Sequence, residues 1–307
     1  MILCCGEALI DMLPRTATGG EAVYAPHVGG AVFNTAIALG RLGVPAGFYS
    51  GLSTDFFGGD LKAALEASHV DLRYVRYSGR PTTLAFVKLT NGHASYIFYD
   101  ENSAGRMLTS DDLPELGPEV SALHFSCISL VPEPCGSTYE ELMRREHKTR
   151  VTMLDPNLRP PFITDSDRHR ARLKRMLAMA DIVKLSDEDL AWFGEGGSSE
   201  DIARRWLANG PSIVVVTAGA KGAVAYTARD RVEMPSRRVG VADTVGAGDT
   251  FNAGLLAAFH DAGLLTKDTI RSLSADDVRA ALDLAARAAA ITVSRAGANP
   301  PWRAELD

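Results

Sequence analysis

Val239-Gly-Val-Ala-Asp-Thr-Val-Gly-Ala-Gly248, continued by Asp249-Thr250-Phe251, is the stretch on which the reading of this chain turns. After Asp243-Thr244 the segment Val245-Gly246-Ala247-Gly248 has almost no side-chain bulk, and Asp249–Phe259 then reads as an apolar helix. The first N–H groups of such a helix have no acceptor within it, and its dipole adds positive potential, so the terminus favours negative charge. Asp249 beside it can accept the proton of an alcohol that attacks a γ-phosphoryl group, while the N–H groups of Gly246, Ala247 and Gly248 stabilise the transferring charge. The same residues would also make a plain helix cap and chain turn, their commoner use.

The rest of the chain is compatible with a soluble enzyme. It has 307 residues, 46% of them hydrophobic and 23% charged, enough for one large domain or two smaller ones. A net charge of -6 gives no electrostatic reason to expect a nucleic acid or an acidic membrane as partner. Basic clusters such as Arg168–Arg175 alternate with apolar residues, as on the wet face of a helix. The start, Met1–Asp11, has no basic region and carries acids early, unlike a secretory signal, and no uncharged run reaches membrane-spanning length. Cys4, Cys5, Cys127 and Cys135 lack metal-ligand spacing, so free, buried thiols in a reducing cytoplasm are expected.

Apolar runs alternate with helix-like segments, which predicts an α/β layered fold with a mostly parallel central sheet flanked by helices. Strands are expected at Ile2–Cys5, Ala46–Ser50, Ala122–Phe125, Val151–Asp155, Ile182–Leu185 and Ile213–Thr217. Helices are expected at Ala31–Leu42, Gly58–Ala67, Ser137–Glu146, Asp165–Met179, Ser199–Asn209 and Asp249–His260. Ser274-Ala-Asp-Asp277 caps a further helix running to about Val293. Thr82–Asp100 breaks the pattern with two β-rich runs joined by Asn91-Gly92, a hairpin signal, and a weaker hairpin is read at Leu13–Val28, turning at Gly19-Gly20. Together they predict a small β-sheet, built from about residues 13–28 and 74–100, that serves as a lid or an edge extension on a single domain spanning 1–307.

Familiar nucleotide and hydrolase motifs are missing: no G-x-x-x-x-G-K-[ST], no G-x-G-x-x-G after the first strand, no H-E-x-x-H and no G-x-S-x-G. Asp243-Thr-Val-Gly-Ala-Gly-Asp249 instead resembles the D-T-x-G-A-G-D signature of the ribokinase-like, or PfkB, carbohydrate kinases. Gly29-Gly-Ala-Val-Phe-Asn34-Thr-Ala and the following Leu-Gly pairs resemble the amino-terminal signature of that family, about two hundred residues earlier. The resemblance extends across the chain to the closing Val293-Ser-Arg-Ala-Gly297-Ala298 and implies the ribokinase-like fold with a β lid.

Read physically, Gly29 and Gly30 allow close approach to a ligand, and Asn34 offers donors and an acceptor to a hydroxyl. Asp11 interrupts an apolar run near Pro14. Alone it would suit a turn; by resemblance it holds sugar hydroxyls. Asp155-Pro-Asn-Leu-Arg159 resembles a segment of fructokinases and 2-keto-3-deoxygluconate kinases, where Arg159 would clamp substrate or phosphate, its alternative being a surface ion pair. Gly6-Glu-Ala-Leu-Ile-Asp11 resembles the opening of the fructokinase branch. Val216-Thr217-Ala-Gly219-Ala-Lys-Gly222 resembles the segment beneath ATP, with Thr217, Gly219 and Gly222 near the nucleotide; a hairpin turn would use the same glycines. Lys184-Leu-Ser186-Asp-Glu-Asp189 falls where the family has N-x-x-E, so Lys184 and Ser186 are assigned to the nucleotide and Asp189 to magnesium through water. Ala286 stands where relatives often place Asn or His near adenine.

The resemblance thus implies an ATP- and magnesium-dependent kinase of a small sugar, with fructose as the expected acceptor and potassium as an optional cofactor. It also implies a homodimer through the lid, for which Leu84/Phe86 and Tyr96/Phe98 offer apolar alternation. The alternatives are 2-keto-3-deoxygluconate, ribose or a nucleoside as acceptor, a non-catalytic sugar or nucleotide sensor on the same fold, and an NAD-dependent enzyme, which the missing glycine fingerprint disfavours. Lid residues and Phe98–Ser103 are expected to decide the acceptor.

Overall fold

The computed structural model describes residues 1–90 and 93–306. Its main sheet takes strands β1 (Ile2–Cys5), β4 (Ala46–Tyr49), β6 (Val70–Asp71), β10 (Ala122–Ser126), β11 (Val151–Asp155), β12 (Ile182–Ser186), β13 (Ile213–Thr217), β14 (Ala223–Thr227) and β15 (Arg231–Met234). The order is β15-β14-β13-β12-β11-β10-β1-β4-β6, parallel from β13 to β6, with β14 and β15 added antiparallel. Because side chains alternate along a strand, Ile2 and Cys4 point into one core and Leu3 and Cys5 into another. Both faces are therefore apolar, as a parallel sheet covered on two sides requires.

Helices α1 (Ala31–Arg41), α2 (Phe56–Ala67), α7 (Ala247–Asp261), α8 (Lys267–Ile270) and α9 (Ala275–Val293) contribute to the first core. Helices α3 (Cys135–Glu146), α4 (Ser166–Met179), α5 (Asp187–Trp192) and α6 (Ser199–Leu207) contribute to the second. The expected strands and helices are all present. Ser274 caps α9 through a reciprocal box with Asp277 (3.1 and 2.9 Å). The helix expected from Asp249 begins earlier, at Ala247, because Gly246 adopts a left-handed conformation (φ 76°) and turns the chain directly into it.

A second sheet, ordered β3-β2-β8-β9, is made by β2 (Leu9–Thr16), β3 (Ala22–Gly29), β8 (Leu84–Thr90) and β9 (His93–Tyr99). It begins at Leu9 rather than near residue 13. Residues 74–83 do not join it, since β7 (Arg76–Ser78) pairs instead with β5 (Gly51–Ser53). The β2–β3 connection closes with Gly20 N–H donating to Ala17 O (2.8 Å), at the expected glycines. The Asn91-Gly92 turn lies outside the described residues. Asp11, expected where a strand ends, lies within β2 and pairs with His27 and Ala85.

Helix α7 is apolar over most of its circumference and is enclosed by α1, α9 and the sheet. At Gly254 a Cβ would stand 2.5 Å from Ala285 Cα on α9. Gly254→Val is therefore expected to destabilise the protein by about 2–3 kcal/mol through overpacking. Urea denaturation checks this, and a change below about 0.5 kcal/mol would mean that the two helices can separate freely.

Candidate active site

Residues that follow β1, β10 and β11 meet the starts of α1 and α7 above the carboxyl ends of those strands. This is where open parallel sheets place their ligands. A cavity of about 240 Å³ opens there, lined by Asp11, Gly30, Asn34, Arg159, Gly246, Gly248 and Asp249 among others. Seven residues singled out in the sequence are thus brought together by the fold.

Asp249 occupies the third position of α7 and is only 7% exposed. Asn34 Nδ2, from the first turn of α1, donates to Asp249 Oδ2 at 2.9 Å. Burial pushes this carboxyl up to about 7, against the Asn34 hydrogen bond and the positive charges of Lys184 and Arg159. The group is therefore poised to take a proton near neutral pH. Asn34, expected on a sugar hydroxyl, is seen holding this carboxylate.

Gly246 and Gly248 line the cavity at the helix start, but the N–H of Ala247 turns back to Thr244 O at 3.3 Å. Ala247 is thus not among the cavity-lining residues, because its amide serves the turn that positions the other two. Asp11 projects from β2 into the cavity, and burial raises its carboxyl to about 6, opposed by the charge of Arg159. Gly29 lies behind it. A Cβ there would stand 2.3 Å from Asp11 Oδ2, so the missing side chain makes room for the carboxylate rather than for ligand. Arg159 Nη1 donates to Asn157 Oδ1 (2.7 Å) and Leu158 O (3.0 Å), which draws the guanidinium toward the cavity instead of a surface partner.

The residues assigned to the nucleotide lie elsewhere. Lys184 is 5% exposed and paired with Asp155 at 3.0 Å, a buried group beneath α7 rather than a surface cation. Ser186 and Asp189 cap α5 reciprocally, and Asp189 also accepts Leu158 N–H at 2.9 Å. Both Asp189 oxygens thus accept backbone N–H groups. Thr217, Gly219 and Gly222 form the β13–β14 connection, where Ala218 N–H donates to Gly222 O (2.8 Å), and they do not line the cavity.

Glu7, Tyr96, Phe98, Cys127, Ile128 and Asn157 also line it. Glu7 Oε1 accepts Ala31 N–H at 2.9 Å and so caps the start of α1 from 24 residues away. No local pattern signals such a cap. Of Phe98–Ser103 only Phe98 reaches the cavity: Tyr99 faces outward and Asp100 pairs with Arg106 at 3.0 Å.

A protein so built can deprotonate an alcohol and receive an anionic group at one place, which aligns it with enzymes that phosphorylate alcohols. The chain belongs to the pfkB family of carbohydrate kinases, whose model matches residues 1–305. It is 57% identical to a fructokinase of Rhizobium leguminosarum bv. trifolii over 91% of this chain and 86% of that protein. Among solved structures, the fructokinase of Xylella fastidiosa with bound ATP matches with a TM-score of 0.88 at 28% identity, covering 99% of this chain and 97% of that one. The fructokinase of Vibrio cholerae O395, solved with fructose, ADP and calcium, matches with a TM-score of 0.86 at 27% identity, covering 99% and 97%.

The raised carboxyl of Asp249 has a cost that stability can report. Its folded value lies above the ordinary 3.8, so the native state holds the extra proton between the two and stability falls as pH rises from about 4 to 7. Asp249→Asn, whose amide oxygen still accepts from Asn34, is expected to be more stable than the parent by about 2–4 kcal/mol at pH 8. Denaturation at both pH values checks this: the gain should vanish near pH 4, and equal stability at pH 8 would show that the carboxylate is not desolvated.

Proposed function

We propose that this protein is an ATP-dependent fructokinase, transferring the γ-phosphoryl group of ATP to a primary hydroxyl of fructose. The observation that carries the chemistry is the buried Asp249 carboxylate at the start of α7, held by Asn34 inside a polar cavity. The likeness to fructokinases carries the acceptor. A cavity of about 240 Å³ suits a monosaccharide, being smaller than the roughly 300–1,000 Å³ of drug-sized sites.

In this reading fructose lies between Asp11 on β2 and Asp249, with Gly30 letting the backbone approach and Arg159 closing the opposite wall. Asn34 fixes Asp249 Oδ2, which leaves the other oxygen for the acceptor hydroxyl. As the hydroxyl oxygen bonds to phosphorus and the bond from phosphorus to the ADP oxygen breaks, Asp249 takes the proton. The N–H groups of Gly246 and Gly248 receive charge on the transferring phosphoryl. The four-stranded sheet acts as a lid whose inner face, with Tyr96 and Phe98, excludes water from the acceptor.

ATP would lie toward the β13–β14 connection, over Thr217 and Gly219. Among the described residues no group of three or more His, Cys, Asp or Glu could hold a metal by itself. Magnesium would be held chiefly by ATP phosphates and water, with Asp189 reached through water, where the ion would neutralise phosphate charge. Potassium would be an additional, activating ion. No helix among the described residues is long and apolar enough to cross a membrane. The four free, buried cysteines support a reducing cytoplasm as its compartment.

The outer face of the small sheet carries Tyr24, Ile97 and Tyr99, each about half exposed, around Phe86, whose ring meets Tyr24 at 5.1 Å and Tyr99 at 5.5 Å. Such a patch supports a homodimer through the lid. Leu84 and Phe86 belong to this face, whereas Tyr96 and Phe98 turn to the cavity.

ADP release with Mg-ATP, measured across fructose, ribose, 2-keto-3-deoxygluconate and adenosine, tests the reading. Fructose should give the highest kcat/KM. Asp249→Asn should lower kcat about 10²–10⁴-fold with ATP binding retained, and Asp11→Ala should raise the KM for fructose at least about tenfold, the loss of a charged hydrogen bond. Turnover surviving in Asp249→Asn would remove the proposed base. Ile97→Glu/Tyr99→Glu should convert a dimer to a monomer in sedimentation, and an unchanged mass would exclude this face as the interface.

A further inference from the structure

Two buried charged groups lie under the first turn of α7 without a part in the chemistry just described. Asp155, at the end of β11, accepts from Lys184 Nζ on β12 (3.0 Å) and Asn252 Nδ2 on α7 (2.7 Å) at one oxygen, and from Asn157 N–H (3.2 Å) at the other. One carboxylate thereby ties β12, α7 and the segment that leads to Arg159. Lys184 approaches the helix start so closely that a Cβ on Gly248 would stand 3.1 Å from its Nζ. Around the pair lie buried polar atoms with no hydrogen-bond partner, both ring nitrogens of His124 and Oδ1 of Asn252. His124 is close enough for both charges to act on it.

A buried ion pair is a poor source of stability, since apolar residues of like volume do as well or better. Placed here, it has another use. We propose that Lys184 and Asp155 are positioning residues for phosphoryl transfer, a pair that sets the field at Asp249 and, through Asn252 and Gly248, the seat of the first turn of α7. The inference rests on the kinase reading and on Asp249 as its base.

The two members act on Asp249 in opposite senses: the ammonium favours its carboxylate and Asp155 opposes it. Other groups face Asp249 from the surrounding elements. Arg159, after β11, favours the carboxylate, and Asn34 on α1 is uncharged. Cys127, after β10, is a thiol that burial keeps protonated; Glu7, after β1, is raised by burial; Tyr96 on β9 is raised by burial too. Asp11 on β2, also raised by burial, lines the same cavity; Asp155 also holds Asn157 on the way to Arg159, so Lys184→Gln reads the field at Asp249 more directly than Asp155→Asn does.

The test is the pH dependence of kcat at saturating fructose and Mg-ATP, with KM for ATP measured alongside. Activity needs Asp249 ionised, so its acid limb follows that group. Lys184→Gln should move the limb to higher pH and Asp155→Asn to lower pH, each by about 0.5 unit or more. Lys184→Arg should restore the parent limb, and KM for ATP should stay within about threefold throughout. Limbs that stay put or move in the same direction would overturn the proposal, as would an effect confined to KM for ATP, which would make Lys184 a phosphate ligand. Should one variant fail to fold, the other decides. A parent protein without sugar-dependent ADP release would sink the kinase reading itself, whereas an active parent with unmoved limbs would sink only this inference.

Discussion

Helix α7 is buried along almost its whole length, from Asp249 to Phe259, and most of what the site can do follows from that burial. An apolar helix enclosed by α1, α9 and a sheet can expose only its ends, and its N-terminus emerges where the parallel strands finish. The unpaired amides of its first turn then face a cavity instead of bulk water, so their field is weakly screened. The turn that delivers the chain to this point needs a left-handed residue, supplied by Gly246, whose absent Cβ also clears Ala298 by a margin a side chain would remove.

The same enclosure sets the two cavity carboxylates apart from ordinary surface acids. Asp11 and Asp249 are both raised by desolvation and both restrained by the charge of Arg159, yet their surroundings differ. Asp249 is held by Asn34 and lies at a helix start, where proton acceptance can be coupled to an incoming anion. Asp11 sits on a strand with Gly29 behind it and faces the same cavity from the small sheet. Keeping two desolvated acids costs stability, and reciprocal caps such as Ser274–Asp277 offset part of it far from the site.

The small four-stranded sheet has two apolar faces for one structural reason. Its strands alternate side chains, and both sides have work: Tyr96 and Phe98 face the cavity, while Tyr24, Phe86, Ile97 and Tyr99 cluster on the other side. A strand with apolar residues at every position would normally be read as core. Here the pattern arises because one face lines the cavity and the other carries an exposed aromatic cluster.

Much of this architecture was legible in the chain. Alternating apolar runs located the main strands and their helices to within a few residues, and Ser274-Ala-Asp-Asp277 marked a helix start that forms as expected. Asp249, Asp11, Asn34, Gly30 and Arg159 could be chosen from local patterns and family resemblance, and the fold gathers them around one cavity. Local patterns could not show which partner a polar side chain would choose. Asn34 turned to Asp249, Lys184 to Asp155, and Glu7 to amides 24 residues along. The sequence by itself determined the periodicities, turns and caps, because these depend on interactions among near neighbours. Only the tertiary structure decided which charges are buried and against what, because desolvation and ion pairing depend on groups that meet solely when the sheet and helices close around them.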